Sequence, residues 1–273
     1  GGLLTSGTRA GNHATDCITG SAHIQLEFEK KNKYDFRASG RGNCCRTNRL
    51  DANENEVVFN PEAGLLARLN FCRAFGVEAT ADWTVQYYHT LEGVPLGWPL
   101  DLIVPSDNQF GPEKATQYYA GMFLAFGGHH ISVGGYKKSM TGLVYFTDAT
   151  ALFGSTIAGW REKIDIGVGS SRGYEILYEK EGEKLNYRLA YTYSETDRKF
   201  RRVNDGEPFP AKFHRPHILN VSGDYVISDN ADRSISVTAL LTWQSGHRET
   251  LASGKYYGML FDEPEQVQLK YLT

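Results

Sequence analysis

The sequence of 273 residues predicts an all-β protein, an antiparallel up-and-down transmembrane β-barrel. Three observations predict it. Apolar and polar residues alternate along many segments, the connections between those segments alternate in length, and the prolines gather in the long connections. No apolar run approaches the ~18 residues that a membrane-spanning helix needs, which excludes a helical membrane protein. Strands that alternate keep the mean hydropathy low, so a barrel is compatible with this composition.

The dominant pattern along the chain has a period of two residues. From Val77 to Tyr87 every second residue is apolar, and the residues between them are nearly all polar. Residues i and i+2 of a strand lie on the same face of a sheet, so this pattern predicts a strand with one apolar and one polar face. Similar segments predict ten strands in all, at residues 22–30, 33–42, 63–73, 76–88, 117–126, 129–146, 160–180, 184–194, 213–227 and 233–245.

The connections between these ten strands alternate in length without exception. In order they have 2, 20, 2, 28, 2, 13, 3, 18 and 5 residues. Odd and even connections of an up-and-down sheet lie at opposite ends, and bacterial outer-membrane barrels have short turns on the periplasmic side and long loops outside. Gly127–Gly128 suits a short turn. Because proline lacks the N–H that a central strand donates, the long connections hold most of the prolines: Pro61, Pro95, Pro99, Pro105, Pro112, Pro208 and Pro210.

The polar face distinguishes a membrane barrel from a soluble one. Charged residues occur in the middle of the predicted strands, namely Glu27, Arg68, Asp82, Glu175 and Arg188. Ionised groups inside a small closed barrel would need partners, whereas a wide water-filled lumen solvates them. Aromatic residues near strand ends match the interfacial girdles of membrane barrels. They are Tyr87, Tyr88, Tyr118, Tyr119, Trp160, Tyr193, Tyr225 and Trp243.

Composition restricts the function further. The net charge of −3 at pH 7 gives no indication of nucleic-acid binding. The four cysteines, Cys17, Cys44, Cys45 and Cys72, lack the spacing of a zinc site or a disulfide framework, and we interpret them as loop thiols. The role of adjacent Cys44 and Cys45 stays open. The first residues do not form a signal peptide, and since an outer-membrane protein is made with one, we expect a chain shortened at its start.

Two pairs of histidines raise the question of a metal site, His129–His130 and His214 with His217. On a strand, neighbouring residues and residues three apart point to opposite faces, so neither pair can chelate a metal simply. Asn220-Val221-Ser222 matches a glycosylation sequence but lies in a predicted strand. The chain has no phosphate-binding loop and no nucleophile elbow. We predict no catalytic residue, no metal site and no cofactor, and the sequence does not specify ligand-binding residues.

Three pieces of sequence follow one another in the second half of the chain. The first is Gly169–Glu175, a glycine-containing strand that ends in Gly-Tyr-Glu. The second is Tyr191–Phe200, which reads Tyr-Thr-Tyr-Ser-Glu-Thr-Asp-Arg-Lys-Phe. The third, residues 204–220, contains Asn-Asp-Gly, Phe-Pro and the series Arg215, His217 and Leu219. Together with Tyr87–Pro95 and Gln117–Tyr119, these pieces resemble the barrel of TonB-dependent outer-membrane receptors, particularly those of Bacteroidetes-type bacteria.

The resemblance covers roughly residues 60–250. The third piece departs from the family pattern at His214, where Asp is usual, and at Pro216, where Arg is usual. The family implies a barrel of about 22 strands with a plugged lumen. We therefore expect about ten strands of a larger barrel, with residues 1–273 forming a partial barrel domain that lacks the plug and is truncated at both ends.

The resemblance also implies a function. We expect part of a receptor in the outer membrane of a Gram-negative bacterium, for active uptake of a scarce siderophore, haem, cobalamin, glycan or peptide. Its partners would be outer-membrane lipid, TonB through the missing plug, and a small-molecule, metal-chelate or oligomer ligand, with no nucleic acid. Loops 89–116 and 195–212 would form part of the capture surface. Trp98 and Phe110 could contact ligand there, although packing within the loop is the simpler interpretation.

Two alternatives stay open. Some ten-stranded outer-membrane barrels are proteases with Asp and His at the strand tops. The candidates here would be Asp148, Asp197, His89 and His247, which are scattered over different connections. The other alternative is a soluble ligand-binding barrel, which would be recovered from the soluble periplasm. The family resemblance favours a chain that is not an enzyme.

Overall fold

A computed structural model gives the structure of the chain. It describes residues 6–10, 13–30, 33–49, 54–91, 102–106, 109–147, 164–230 and 233–246, together with short pieces at 248–250, 254–256, 259–261 and 269–271.

One antiparallel sheet dominates the described residues. Its strands, in spatial order, are β1 (Ser6–Ala10), β2 (His13–Lys30), β3 (Tyr34–Arg49), β4 (Glu54–Asn70), β5 (Phe75–Gln86), β8 (Glu113–Phe126), β9 (His129–Phe146), β10 (Ile164–Lys180), β11 (Leu185–Lys199), β13 (His217–Asn230) and β14 (Arg233–Gln244). Every strand pairs with the sheet strand that precedes it in sequence, so the topology is up-and-down.

Smaller elements lie outside this path. β6 (Tyr88–Leu91) and β7 (Leu102–Pro105) form a hairpin between β5 and β8, and β12 (Phe209–Pro210) pairs with β11 after a 3-10 turn at Asn204–Gly206. Four strands of three residues follow in two pairs: β15 (Arg248–Thr250) with β18 (Leu269–Tyr271), and β16 (Gly254–Tyr256) with β17 (Met259–Phe261). Among the described residues, no helix is long and apolar enough to cross a membrane.

The structure confirms the predicted fold class and shows a strand in each of the ten predicted segments, and it adds β1 at one edge. Residues 213–216, predicted as strand, precede β13, and residues 160–163 lie outside the described residues. The turn at Gly127–Gly128 is also confirmed. Both glycines have positive φ, +52° and +77°, as a two-residue hairpin turn of type I′ requires. A third glycine with positive φ, Gly142, has no partner in the β9–β10 ladder, where the register shifts by one residue. This bulge bends the upper part of β9.

One predicted connection is wrong. Residues 43–62 were predicted as a loop, but β3 and β4 stay paired from Tyr34 opposite Leu69 to Arg49 opposite Glu54. The segment is rich in asparagine and carries Pro61, which obscured the strand pattern. Beyond Ala63 the ladder between β4 and β5 ends, so this part of β4 pairs on one side only. Proline is tolerated on such an edge.

The register assigns every side chain of the sheet to one of two faces. The apolar face contains the series from Val77 to Trp83 with its cross-strand neighbours, and the polar face contains the residues between them. All five predicted mid-strand charges, Glu27, Arg68, Asp82, Glu175 and Arg188, lie on the polar face. The division into two faces that the sequence predicts is confirmed.

The middle of this sheet has no core of its own. Large apolar residues of the apolar face are well exposed, for example Ile24, Leu26 and Phe28 at 71%, 69% and 66%. The buried apolar residues all lie at the end of the sheet with the long connections: Cys45, Tyr87, Phe110, Leu143, Val144, Ile164, Phe200, Val203, Phe209 and Ala211. The described sheet is therefore a single layer that packs against itself only at that end, which we call the long-loop end.

Candidate functional site

The buried polar residues share the long-loop end with the buried apolar ones. They are Asn60, His89, Ser106, Asp165 and His214. Burying a polar group without a partner is costly, so each of these residues constrains the segment around it through its hydrogen bonds. Two separate clusters result, one around His89 and one around Phe200. They fix how the connections between strands leave the sheet.

A buried hydrogen-bonded chain holds the hairpin of β6 and β7 against the start of β8. His89 is fully buried, with Nε2 3.1 Å from the Ser106 hydroxyl and Nδ1 3.2 Å from Glu113 Oε1. Phe110 packs edge-on against the imidazole, with 6.1 Å between ring centroids. Phe110, a predicted candidate for ligand contact, is 1% exposed and packs within the loop instead. Trp98 lies outside the described residues.

The connectivity of Ser106, His89 and Glu113 is that of a serine-hydrolase triad. The surroundings differ from those of a nucleophile. Ser106 is 5% exposed, and its hydroxyl also donates to the Tyr87 carbonyl oxygen at 2.9 Å. A hydrolytic serine must reach its substrate, whereas this hydroxyl is enclosed and bonded to the backbone. The three residues act as a latch, which we call the His89 latch.

The predicted protease candidates are not brought together. His89 belongs to the latch, and Asp197 lies on the apolar face of β11, in register with Ser170 and Pro210. Asp148 and His247 lie outside the described residues. Ser106 and Glu113, which do contact His89, were not predicted, because no sequence motif indicates that residues around a hairpin will meet.

Tyr87 anchors β3 and β4 at the long-loop end. Its hydroxyl accepts from the Asn60 amide at 3.2 Å and donates to the Asn43 carbonyl oxygen at 3.2 Å, and its ring packs against buried Cys45. Burial raises the pKa of the Tyr87 phenol above its ordinary value of 10.0, so the hydroxyl remains a donor at neutral pH. Predicted as part of an aromatic girdle, Tyr87 is instead 7% exposed and structural.

The second cluster fixes the connection between β11 and β13. Phe200, Val203 and Phe209 pack on Leu143 of β9, with Met140 and Tyr145 at the margin. The ring of Phe200 lies directly over Gly167, where a Cβ would overlap it. This glycine of β10 therefore provides the space that the loop needs. The predicted capture loop 195–212 is anchored to the sheet through this apolar cluster, which we call the Phe200 cluster.

Polar contacts reinforce the same connection. The Arg202 backbone N–H donates to Asp165 Oδ2 at 2.7 Å, and its guanidinium donates to the Ile164 carbonyl oxygen. Further along, the Ala211 N–H donates to the Thr196 carbonyl oxygen, and Nε2 of His214 lies 3.1 Å from the Ser194 carbonyl oxygen. His214, where the receptor family usually has Asp, thus makes a backbone contact to the edge of β11.

Ion pairs run along the polar face below these clusters. Arg68 pairs with Glu78 at 2.6 Å, Arg41 with Glu62 at 3.6 Å, and Arg188 with Glu179 at 3.3 Å. Arg37 contacts both Asp35 and Glu27. The side chains remain partly exposed, which agrees with a face that contacts water or another polar surface. This charged face and the two clusters form the candidate functional surface.

The histidine pairs lie as the strand geometry predicts. His129 is on the apolar face beside the Tyr178 hydroxyl at 2.9 Å, while His130 is on the polar face beside Glu179. His217 bonds the Tyr191 hydroxyl at 2.8 Å, and His214 contacts the backbone of β11. Within the described ranges, no group of three or more His, Cys, Asp or Glu side chains could hold a metal ion.

Cys44 and Cys45 point to opposite faces. Cys45 is 1% exposed against Tyr87, whereas Cys44 is exposed on the apolar face, so the strand explains their adjacency without shared chemistry. Both were predicted in a loop and lie in β3 instead. Cys72 is exposed in the turn between β4 and β5, and the side chain of Cys17 lies outside the described residues.

The aromatic residues predicted as girdles divide into three groups. Tyr118, Tyr193, Tyr225 and Trp243 lie on the apolar face, as predicted. Tyr119 lies on the polar face, and Tyr87 and Tyr88 pack with buried Cys45. Trp160 lies outside the described residues. The aromatic content alone did not assign the face, because neighbouring tyrosines alternate between faces.

Comparison with solved structures identifies where this architecture occurs. The ferripyoverdine receptor of the Pseudomonas aeruginosa outer membrane superposes with a TM-score of 0.64 at 12% identity, over 89% of this chain and 30% of the receptor. The ferric yersiniabactin uptake receptor FyuA of Yersinia pestis gives 0.59 at 12% identity, over 93% and 36%. BauA, the ferric preacinetobactin receptor of Acinetobacter baumannii, gives 0.60 at 11%, over 86% and 33%.

The chain has the fold of these receptor barrels. The structural neighbours are TonB-dependent outer-membrane receptors, and they are transport receptors rather than enzymes. The chain spans about a third of the length of each neighbour. No protein-family model matches the sequence, and no curated protein matches it. At identities of 11–12%, the likeness establishes the fold alone.

Proposed function

We propose that this chain is part of a TonB-dependent outer-membrane receptor that takes up a scarce nutrient actively. One observation carries the proposal: a single-layer sheet exposes large apolar side chains on one face and ion pairs on the other. A sheet in water would cover the apolar face with a second layer. A sheet in a membrane leaves it to the lipid, because the bilayer takes the place of that layer.

The strand lengths support residence in a membrane. Within the described sheet, its strands from β2 onward have 12 to 18 residues each. At ~3.3 Å per residue and a tilt near 40°, even the shortest of these projects about 30 Å along the barrel axis, enough to cross an apolar band about 25 Å tall. The additional length of β2, β3 and β4 lies at the long-loop end. There asparagine becomes frequent in β3 and β4.

The polar face supports a wide lumen. Pairs such as Arg68–Glu78 would be costly in lipid, and they would be unnecessary in a lumen filled only with bulk water. A face with paired and half-exposed charges suits contact with a polar domain inside the barrel. In receptors of the proposed family that domain is the plug, which TonB engages from the periplasm. The described sheet has β1 and β14 at its ends, so further strands would close the barrel.

The anchored loops support a capture function. The His89 latch and the Phe200 cluster hold the described parts of two long connections in defined positions at one end of the sheet. A binding loop loses less conformational entropy on binding when it is already ordered. Ferric siderophores are the ligands of several structural neighbours, and a ferric siderophore, haem, cobalamin, glycan or peptide is compatible with the surface described here.

Membrane topology gives the first test. An epitope inserted in the turn after Asn204 should be detected on intact Gram-negative cells that produce the full-length protein. The same epitope inserted between Gly127 and Gly128 should be detected only after the outer membrane is permeabilised. Detection at both positions in intact cells, or recovery of the protein from the soluble periplasm, would contradict the proposal.

Uptake gives the second test. A strain lacking the gene should lose accumulation of one labelled nutrient from a panel of ferric siderophores, haem, cobalamin, oligosaccharides and peptides. The complemented strain should regain it, and a protonophore should abolish it, because energised transport depends on the inner-membrane gradient. Accumulation that continues unchanged with the protonophore would indicate passive diffusion and would refute active uptake.

A further inference from the structure

β4 continues beyond the point where its neighbour β5 leaves it. The ladder with β5 stops at Ala63 opposite Trp83, whereas the ladder with β3 continues to Glu54. Among the described strands, residues 54–62 therefore pair on one side only, and we call their unpaired side the open edge of β4. A strand edge of this kind presents a row of backbone donors and acceptors, which is a template for another extended backbone.

Specific contacts hold β5 away from the open edge. Glu62 Oε1 accepts from the Val85 backbone N–H at 2.9 Å, so a side chain takes the place of a ladder bond. The chain then turns toward β9, against which β6 lies. The Tyr87 side chain reaches back to Asn60 and Asn43, but it does so across the polar face of β3 and β4 rather than along the edge. The space beside the open edge is therefore a fixed feature of the described fold.

The register shows which residues present their backbone groups at the open edge. Near the short turn between β2 and β3, Asn70 of β4 donates its N–H to the Lys33 carbonyl oxygen on the β3 side. Backbone groups of successive residues alternate between the two sides of a strand, and no bulge interrupts the pairing of β4 with β3. Val57 and Phe59 therefore direct their N–H and C=O groups to the open edge, where the described residues offer them no partner. Pro61 also faces the edge, but it has no N–H to leave unpaired.

The height of the open edge places it beyond the lipid. Phe59 and Val57 lie 11 and 13 residues from Asn70. At ~3.3 Å per residue and a tilt near 40°, these separations correspond to about 28 and 33 Å along the barrel axis, more than an apolar band about 25 Å tall. Unpaired backbone groups are excluded from hydrocarbon but tolerated in water. The open edge is therefore accessible to a water-soluble partner at the long-loop end.

A second copy of the chain does not fit the open edge. Two copies in one membrane are related by a rotation about the membrane normal, because both must have the same orientation across the bilayer. Two facing β4 strands would then cross at about 80°, twice the tilt of each strand. Neighbouring strands of a sheet are rotated by only about 20–25°, so the two edges would not form a ladder.

We propose that the open edge of β4 binds a peptide ligand in extended conformation, as an added antiparallel strand. The proposal rests on the proposed uptake function and assigns peptide as its ligand class. Val57 and Phe59 would exchange backbone hydrogen bonds with alternate residues of the peptide. Their side chains are 61% and 65% exposed on the apolar face. Apolar or aromatic side chains on the same alternate peptide residues would pack beside them.

The test measures peptide binding by the purified full-length protein. The probe is a pool of peptides of about seven residues in which apolar residues alternate with threonine or lysine. We expect the wild type to bind members of this pool. The tightest-binding member is then made again with N-methyl groups either on its apolar residues or on the residues between them. Methylation of the apolar residues removes the donors that face β4 and should abolish binding, whereas methylation of the other residues should weaken it little.

Two variants locate the binding at the open edge. Val57→Pro removes an N–H that faces the edge and leaves the ladder with β3 intact, as Pro61 does two turns of the pleat away. We expect it to bind the peptide about tenfold more weakly than the wild type. Val57→Ala is the matched control, because it loses the same exposed side chain but retains the N–H, and it should bind more tightly than Val57→Pro.

Three results would overturn the proposal. They are a wild type that binds no member of the pool, equal binding of the two methylated peptides, and unchanged binding by Val57→Pro. The uptake assay is read separately. A deletion strain that loses uptake of another nutrient would refute the peptide site alone and leave the proposed function intact, whereas a protein found outside the outer membrane would refute both.

Discussion

The Nδ1 atom of His89 lies 3.2 Å from a carboxylate oxygen of Glu113, and the imidazole is fully buried between β6 and the start of β8. With Ser106 at 3.1 Å from its other nitrogen, His89 connects three segments that are separate in sequence. The described part of the connection between β5 and β8 is therefore an ordered hairpin with a polar fastening. Such a fastening is sensitive to the loss of any one partner, because the remaining groups stay buried.

We expect His89→Ala to open the hairpin of β6 and β7. Loss of a partner for buried polar groups costs ~1–3 kcal/mol, which corresponds to an increase in local opening of about fivefold to 150-fold. Hydrogen exchange of the backbone N–H groups in Tyr88–Leu91 and in residues 102–104 measures this directly. His130→Ala is the matched control, because His130 pairs with Glu179 beside the Gly127–Gly128 turn, at the end of the sheet away from the hairpin. Unchanged protection in His89→Ala would show that the apolar packing of Phe110 alone holds the hairpin.

Gly167→Ala tests the Phe200 cluster. A Cβ at Gly167 would overlap the Phe200 ring and the Lys199 carbonyl oxygen, so the loop after β11 must move. We expect faster protease cleavage within residues 200–216 and, if the proposed uptake function holds, weaker ligand capture. Gly40→Ala is the control, since a Cβ at Gly40 of β3 would meet no atom within 4 Å. If both variants resist protease equally well, the close approach of Phe200 to β10 does not hold the loop.

The sequence predicted the sheet well because period-two alternation is a local signal. In each strand that spans the apolar band, the alternating residues define the apolar and the polar face. Strands that follow one another in sequence also pair in the sheet. The parts of β3 and β4 near the long-loop end were not predicted, because the same local signal is weak there. Around Asn43 the residues of β3 are mostly polar on both faces, so no clear alternation distinguishes a strand from a loop. On β4, Val57 and Phe59 continue the apolar face, but Pro61 favoured the wrong interpretation.

The candidate site was less predictable. Ser106 and Glu113 lie 17 and 24 residues after His89, and they meet it through a hairpin whose strands have only four residues each. Likewise, nothing around Gly167 in the sequence indicates that Phe200, 33 residues later, will lie on it. Such contacts depend on loop conformation, and the alternation that predicts the wall contains no information about it.

Tyr87 gives a pH-dependent prediction. Burial raises the pKa of its phenol above the ordinary 10.0, so the folded state disfavours the phenolate more than the unfolded state does. The unfolded chain therefore loses its proton first, and the Tyr87 contribution to stability is complete below pH 10 and declines as the pH rises above it. Tyr87→Phe should remove this decline in stability, because no phenol then titrates at the long-loop end of β3 and β4. Measuring the unfolding of both proteins from pH 8 to pH 11 checks the sign. A wild-type profile as flat as that of Tyr87→Phe would refute it.

The two faces of β5 give a direct test of which one contacts lipid. Ala79 lies on the apolar face and Thr80 on the polar face, so neighbouring residues sample both sides of the same wall. An arginine on the lipid face of a barrel costs ~2–4 kcal/mol at the middle of the bilayer, while a lumen position tolerates it. We expect Ala79→Arg to destabilise the protein folded in lipid bilayers by that amount, so that less protein is found in the outer membrane. Thr80→Arg places the same charge beside the Arg68–Glu78 pair, where water and carboxylates are within reach, and should fold nearly as well as the wild type.

The reverse order of stabilities would mean that the charged face contacts lipid and that the proposed orientation of the wall is inverted. An equal, small effect of both variants would mean that neither face contacts a bilayer.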